Sequence, residues 1–155
     1  MPITDENGVA YTYYVRENPV PTYFNESYSG DVTTGFVITN TYDNEHEDLV
    51  EDLTATKTWM PEGLLDSMKF PVSYQLYRYT TDPDTPEKVG DEVVLDADSY
   101  WKYTWEDMPK TDTVGKPYTY YVLETTELPT GFSKDEDGMN VTNTYDNMHE
   151  DLVED

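Results

Sequence analysis

Three polar residues in this chain fall where apolar ones are due. In Thr54-Ala55-Thr56-Lys57-Thr58-Trp59, strand alternation puts Ala55, Lys57 and Trp59 on one face and the threonines on the other. In Tyr118-Thr119-Tyr120-Tyr121-Val122-Leu123-Glu124, Glu124 shares a face with Tyr118, Tyr120 and Val122. In Val141-Thr142-Asn143-Thr144-Tyr145, Asn143 lies between Val141 and Tyr145. The pattern directs a lysine, a glutamate and an asparagine toward a core. A buried ammonium is costly unless it is paired, neutralised or consumed by chemistry. From the residues alone, the plain outcome is a Lys57–Glu124 ion pair with Asn143 hydrogen-bonded to it.

The remaining segments must position these three. Residues 69–79 read as a strand with Val72, Tyr74, Leu76 and Arg78 on one parity, and Pro71 places its start at a sheet edge. Residues 80–87 read as a loop and residues 92–95 as a short strand. Residues 100–105 form an aromatic strand with Trp101, Tyr103 and Trp105 on one face. Residues 109–116 turn, and residues 135–138 turn into a last strand over 139–145. No amphipathic helix of useful length is visible. Short strands separated by frequent turns predict an all-β, Ig-like or prealbumin-like antiparallel sandwich.

Composition narrows the function classes. Acidic residues number 33 against nine basic ones, a net charge of -24. Such a surface repels nucleic acid and anionic membranes, so neither is a partner. No apolar run reaches membrane-spanning length. The mean hydropathy is -0.78, yet 15 tyrosines and three tryptophans supply amphipathic bulk for half-buried strands. With no cysteine, the fold is not held by disulfides. No signal peptide follows Met1, which reads as a start added to a piece cut from a longer protein.

The chain also repeats itself. Tyr11-Thr12-Tyr13-Tyr14-Val15 returns as Tyr118 to Val122, and Ile38-Thr39-Asn40-Thr41-Tyr42-Asp43-Asn44 returns, with Val for Ile, at Val141 to Asn147. His46-Glu47-Asp48-Leu49-Val50-Glu51-Asp52 recurs unchanged from His149 to Asp155. The span from Glu17 to Asn40 is four residues longer than its counterpart, Glu124 to Asn143, and the extra residues are expected in a loop around residues 25–31. Nothing upstream matches residues 54–105. The expected organisation is the C-terminal half of a domain over 1–43, an acidic hydrated junction over 44–52, a complete domain over 53–146, and a second acidic junction over 147–155. The half has Glu17 and Asn40 but no counterpart of Lys57. Its core-facing Tyr11, Tyr13, Val15, Phe36 and Ile38 would need cover from another chain or from a preceding repeat.

These stretches together resemble the collagen-adhesin B-type (Cna B) domain of Gram-positive surface proteins and pilins. The resemblance rests on Ala55-Thr56-Lys57-Thr58-Trp59, on residues 118–124, on residues 141–145, and on Trp105-Glu106-Asp107-Met108-Pro109-Lys110 as a strand-to-turn segment. It implies an intramolecular isopeptide bond from Lys57 to Asn143, with Glu124 as the assisting acid, and equivalent positions at Glu17 and Asn40. Such a bond forms once per molecule, so the resemblance implies self-modification rather than turnover, and no cofactor. It further implies a structural module of a tandem-repeat fibre, stalk or pilus-like protein outside the cell, with neighbouring repeats or copies of the same protein as head-to-tail partners. The alternative is an adhesin module that binds a host or matrix ligand.

Other motifs are weaker. Leu128-Pro129-Thr130-Gly131 lacks one residue of a sortase signal and reads as a turn. His46 and His149 lie in acidic junctions without cysteines, so no metal site is assigned. Asn25-Glu26-Ser27 and Asn140-Val141-Thr142 match a glycosylation pattern that is common by chance.

Overall fold

The computed structural model describes residues 2–152. Met1, and Val153 to Asp155 of the second acidic junction, lie outside the described residues. The fold is an all-β sandwich preceded by a two-stranded hairpin. The alternating segment around Lys57 is part of β3 (Val50–Met60). It lies in a four-stranded sheet with β6 (Lys102–Pro109), β8 (Phe132–Asp137) and β9 (Asn140–Tyr145), in the order β6-β3-β9-β8. The facing sheet has the order β5-β4-β7, with β4 (Val72–Tyr79), β5 (Glu87–Leu95) and β7 (Thr119–Glu124). Pairing is antiparallel except between β3 and β9, which run parallel. No helix among the described residues is long and apolar enough to cross a membrane.

The core lies between the two sheets. Ala55, Val72, Tyr74, Leu76, Leu95, Val122 and Val141 fill it, with Trp59, Phe70, Trp101 and Trp105 packed against it and Phe132 against Trp59. One hairpin tip fixes the relative placement of β9. Gly138 makes the turn between β8 and β9 at a φ of 60°, a conformation open to glycine. Its carbonyl accepts from Val122 N at 2.9 Å, and the Met139 carbonyl accepts from Thr56 N at 3.0 Å. The tip is therefore stitched to both sheets.

Several local expectations need correction. Tyr100 and Trp101 are not in a strand. They form a left-handed turn, with φ of 56° and 59°, and β6 begins after them. Pro71 lies just outside β4, which is the central strand of its sheet and not an edge. Residue 87, placed in a loop by its prolines and aspartates, already pairs with Arg78 in β5. Residues 135–137, read as part of a turn, belong to the edge strand β8, which runs from Phe132 to Asp137. Its run of Lys, Asp and Glu hides the alternation because one face is open to water.

The leading segment differs more. Residues 25–31 are not a loop. They belong to β1 (Phe24–Asp31), which pairs in full register with β2 (Gly35–Tyr42). The extra length goes into a longer hairpin, closed by Asp31 Oδ1 accepting from Thr33 N and Thr34 N, both at 2.8 Å. Residues 11–15 form no strand, although all of their copy but Tyr118 is in β7. Strand β7 exists through its ladder with β4, and the leading segment has no β4. The first acidic junction keeps Glu45, Glu47, Asp48, Glu51 and Asp52 exposed to water. It folds into a 3-10 turn, Glu47–Leu49, in which His46 Nδ1 accepts from Asp48 N, and it runs directly into β3.

Gln75, absent from the sequence reading, is buried at 5% exposure beside a register shift between Tyr74 and Leu76. Its Nε2 donates toward the carbonyls of Leu76, Val89 and Gly90 at 3.0, 3.3 and 3.1 Å. Gln75→Leu leaves these carbonyls without that donor. It should cost about 1–3 kcal/mol, read as a lower urea midpoint at unchanged slope. An unchanged midpoint would show that the bulge holds without it.

Candidate functional site

The three residues singled out by parity come together. Lys57 on β3 and Asn143 on β9 are diagonal neighbours, because the parallel register sets Lys57 opposite Val141 and Trp59 opposite Asn143. Glu124 ends β7 and enters from the facing sheet. The side chains of Lys57 and Glu124 are fully buried, and so is Asn143. Lys57 Nζ donates to Glu124 Oε1 at 3.3 Å, and Asn143 Nδ2 donates to the same oxygen at 3.0 Å. Glu124 Oε2 and Asn143 Oδ1 are buried without a partner.

The surroundings are apolar and aromatic. Lys57 Nζ lies 5.0 Å from the centre of the Trp59 ring. Trp59 is braced edge-on by Phe70, Trp101 and Phe132. The left-handed turn at Trp101 also places its carbonyl to accept from Lys57 N at 2.9 Å. Tyr74 crosses between the sheets, its hydroxyl donating to Thr56 O at 2.9 Å.

A second set of contacts holds Glu124 in place, and the sequence reading missed it. Glu136 Oε2 on β8 accepts from Glu124 N at 2.8 Å, and Lys134 Nζ donates to Glu124 O at 3.1 Å. The two side chains also pair with each other at 3.7 Å. The signal was present, since Phe132, Lys134 and Glu136 share one strand parity. It was masked by the polar character of the segment.

Burial is the largest influence on Lys57. It pushes the ammonium down from 10.5 to about 8, while the nearby Glu124 charge pulls the other way. Tyr74 moves upward from its ordinary 10.0, mainly by burial and then by the Glu124 charge. Where Lys57 stays a free amine, as in Asn143→Ala, the two groups act in different pH ranges. The unfolded chain holds its lysine proton up to 10.5, so the Lys57 contribution to stability grows as pH rises from about 8 and is lost as pH falls back through that value. The Tyr74 contribution is intact below 10.0 and is lost as pH rises above it. Urea unfolding of Asn143→Ala across alkaline pH should therefore show stability rising above pH 8 and falling beyond 10. A steady decline from pH 8 upward would contradict the assignment for Lys57.

The leading segment holds a smaller version of the same arrangement. Asn40 Nδ2 donates to Glu17 Oε1 at 3.1 Å, and Glu17 Oε2 is buried without a partner. Other contacts are duplicated as well. Tyr13 donates to Pro2 O as Tyr120 does to Pro109 O, and Tyr11 N donates to Ile3 O as Tyr118 N does to Lys110 O. Residues 1–56 contain no lysine to meet Glu17. Among the described residues, no group of His, Cys, Asp and Glu is arranged to hold a metal ion.

Comparison with known proteins places this geometry in context. A crystal structure of two B repeat units (B1B2) of the collagen binding protein of Staphylococcus aureus superposes with a TM-score of 0.63 at 24% identity, covering 92% of this chain and 35% of that one. A single B repeat unit (B1) of the same protein gives 0.51 at 20% identity, covering 94% of this chain and 71% of that one. In sequence, the chain is 27% identical over 163 residues to a collagen adhesin of Staphylococcus aureus. That alignment takes in 92% of this chain and spans 13% of the length of the relative. The family profile of the Cna protein B-type domain matches residues 1–41 and 53–144. With that profile covering most of its length in two segments, the chain belongs to the Cna protein B-type domain family.

Proposed function

We propose that the chain is a structural module of a tandem-repeat stalk or fibre on the cell surface, locked by a covalent bond between Lys57 and Asn143. One observation carries this reading: Lys57 Nζ and Asn143 Nδ2 converge on a single fully buried carboxylate oxygen of Glu124. As a purely structural ion pair the site is poorly satisfied, because two buried oxygens lack partners. As a set of reactants it is well supplied.

The step balances as follows. Glu124 accepts the ammonium proton of Lys57 across their hydrogen bond, which leaves a neutral amine and a neutral acid. Inverting the Asn143 amide about its Cβ–Cγ bond brings Oδ1 toward Glu124, where the protonated carboxyl polarises it. The lone pair of Nζ attacks Cγ, and a new C–N bond forms. Glu124 relays a proton from the attacking nitrogen to Nδ2, the Cγ–Nδ2 bond breaks, and ammonia leaves. Lys57 and Asn143 are held by adjacent strands and Glu124 by the facing sheet, so the encounter is intramolecular. Glu17 and Asn40 supply the acid and acceptor of a second such site, whose lysine strand is not part of residues 1–43.

The intact mass of the purified chain should be one ammonia below the sequence mass. Lys57→Ala, Asn143→Ala and Glu124→Ala should each restore the full mass. A full-mass parent protein would overturn the proposal.

The link would close residues 57 to 143 into a loop and remove freedom from the unfolded chain. By comparison with a disulfide closing a loop of that length, the gain is about 4 kcal/mol. Lys57→Ala should melt earlier and be cut sooner by protease than the linked parent. Equal melting would contradict a mechanical role for the bond.

A further inference from the structure

The acid of the site is gripped by its backbone as well as aimed by its side chain. Glu124 ends β7, an edge strand that β4 covers on one side only. On the other side, alternate main-chain groups of β7 point toward the β8–β9 hairpin. Val122 N donates to Gly138 O at 2.9 Å, and Glu124 N donates to Glu136 Oε2 at 2.8 Å. Glu136 stands opposite Val141 in the β8–β9 ladder, and Lys134 stands opposite Asn143. The hairpin that carries the asparagine therefore also holds the acid, so one unit sets the distance between them.

A carboxylate on an edge N–H has a plainer use, which is to blunt the edge against a further strand. The leading segment separates the two uses. In its hairpin Tyr28 stands opposite Ile38 and Glu26 opposite Asn40, so Tyr28 is the counterpart of Glu136 and Glu26 of Lys134. The Tyr28 hydroxyl accepts from Glu17 N at 3.0 Å, the contact that Glu136 makes to Glu124 N. Residues 11–17 form no strand, so no sheet edge needs blunting there, and the acid is gripped all the same. The distance from acid to asparagine is kept as well, 3.1 Å from Asn40 Nδ2 to Glu17 Oε1 and 3.0 Å from Asn143 Nδ2 to Glu124 Oε1.

The differences between the copies show what the grip requires. The carboxylate of Glu136 becomes the phenol of Tyr28, and Lys134 is replaced by Glu26, the opposite charge. An oxygen that accepts from the N–H of the acid is common to both. In the complete domain the charges of Lys134 and Glu136 push Lys57 in opposite directions, and both act on it less than burial and Glu124 do.

We propose that Glu136, and Tyr28 in the leading segment, are positioning residues for the acid: by accepting from its main-chain N–H they fix its carboxylate against the asparagine of their own hairpin. The role needs an acceptor and not a charge. Its effect on rate rests on the covalent lock of Lys57 to Asn143.

The test follows the full chain after a short pulse of cell-free synthesis, with aliquots quenched in acid and weighed intact to give the rate of ammonia loss. Glu136→Met keeps the length of the side chain without the acceptor and should slow the loss about tenfold or more. Glu136→Gln keeps an acceptor oxygen without the charge and should stay close to the parent. Asp135→Asn, on the outward face of β8, removes a charge from the same strand and controls for charge alone. In the Asn143→Ala background no bond can form, so urea midpoints there read what the contact is worth to the fold by itself. Amide exchange at Glu124 should rise with Glu136→Met and not with Glu136→Gln, and Tyr28→Phe should raise exchange at Glu17. A Glu136→Met chain that loses ammonia as fast as the parent overturns the positioning role, even if its midpoint falls. A Glu136→Gln chain as slow as Glu136→Met shows that charge does the work and overturns the geometric role. Unchanged exchange at Glu17 in Tyr28→Phe overturns the role of Tyr28. A parent that keeps its full mass throughout overturns the covalent lock and the rate effect with it, while exchange at Glu124 and Glu17 still decides whether the grip exists.

Discussion

A lysine with no exposed side-chain surface sets the terms for the whole sandwich. Burying its charge is unfavourable, and the contact that offsets the cost comes from the opposite sheet. Three separate registers must therefore agree. A one-residue slip of β3, β7 or β9 would turn Lys57, Glu124 or Asn143 to the outer face and bring a threonine or leucine inward. The fold contains devices that prevent such slips. The Gly138–Met139 tip bonds to both sheets, and Glu136 and Lys134 grip the backbone on either side of Glu124. These contacts use main-chain groups, so they fix where the carboxylate stands without competing for its oxygens.

The site was legible because period-2 alternation is a strong signal when one face is dry. Lys57 follows Ala55 and precedes Trp59, and Asn143 follows Val141, so each polar residue stood out against apolar neighbours of its own parity. Where one face of a strand meets water, the signal failed. Strand β8 presents Ser133, Asp135 and Asp137 outward and has Phe132 as its one apolar inward residue. Gln75 was illegible for another reason. The register shift beside it buries Tyr74, Gln75 and Leu76 in succession, which no alternating pattern anticipates. Gly90, inside an otherwise regular strand, was the available hint. The left-handed turn at Tyr100 and Trp101 could not be read from residue types, because both are aromatic residues that favour strands.

The internal repeat separates local preference from tertiary support within a single molecule. Tyr-Thr-Tyr-Tyr-Val occurs twice. Beside β4 it is a strand, and without such a neighbour it is an extended segment with no ladder, although side-chain bonds such as Tyr13 to Pro2 persist. The hairpin behaves differently, since β1 and β2 supply each other with partners and need no third strand to pair. The acidic junction is the most self-sufficient of the repeated segments. Its turn is the same whether or not a domain is described beyond it, because its bonds run between residues three apart.

The parallel pairing of β3 and β9 has a consequence for how the domain carries a load. These are its first and last strands, side by side and pointing the same way. A pull on the chain at residue 50 and at residue 145 drags them past each other along their length. Their ladder bonds then resist in shear, all at once, instead of parting one by one as in an unzipping hairpin. Everything between them, from the turn at Pro61 to the tip at Gly138, lies off the line of tension. The facing sheet β5-β4-β7, which supplies Glu124, is thereby spared that stress.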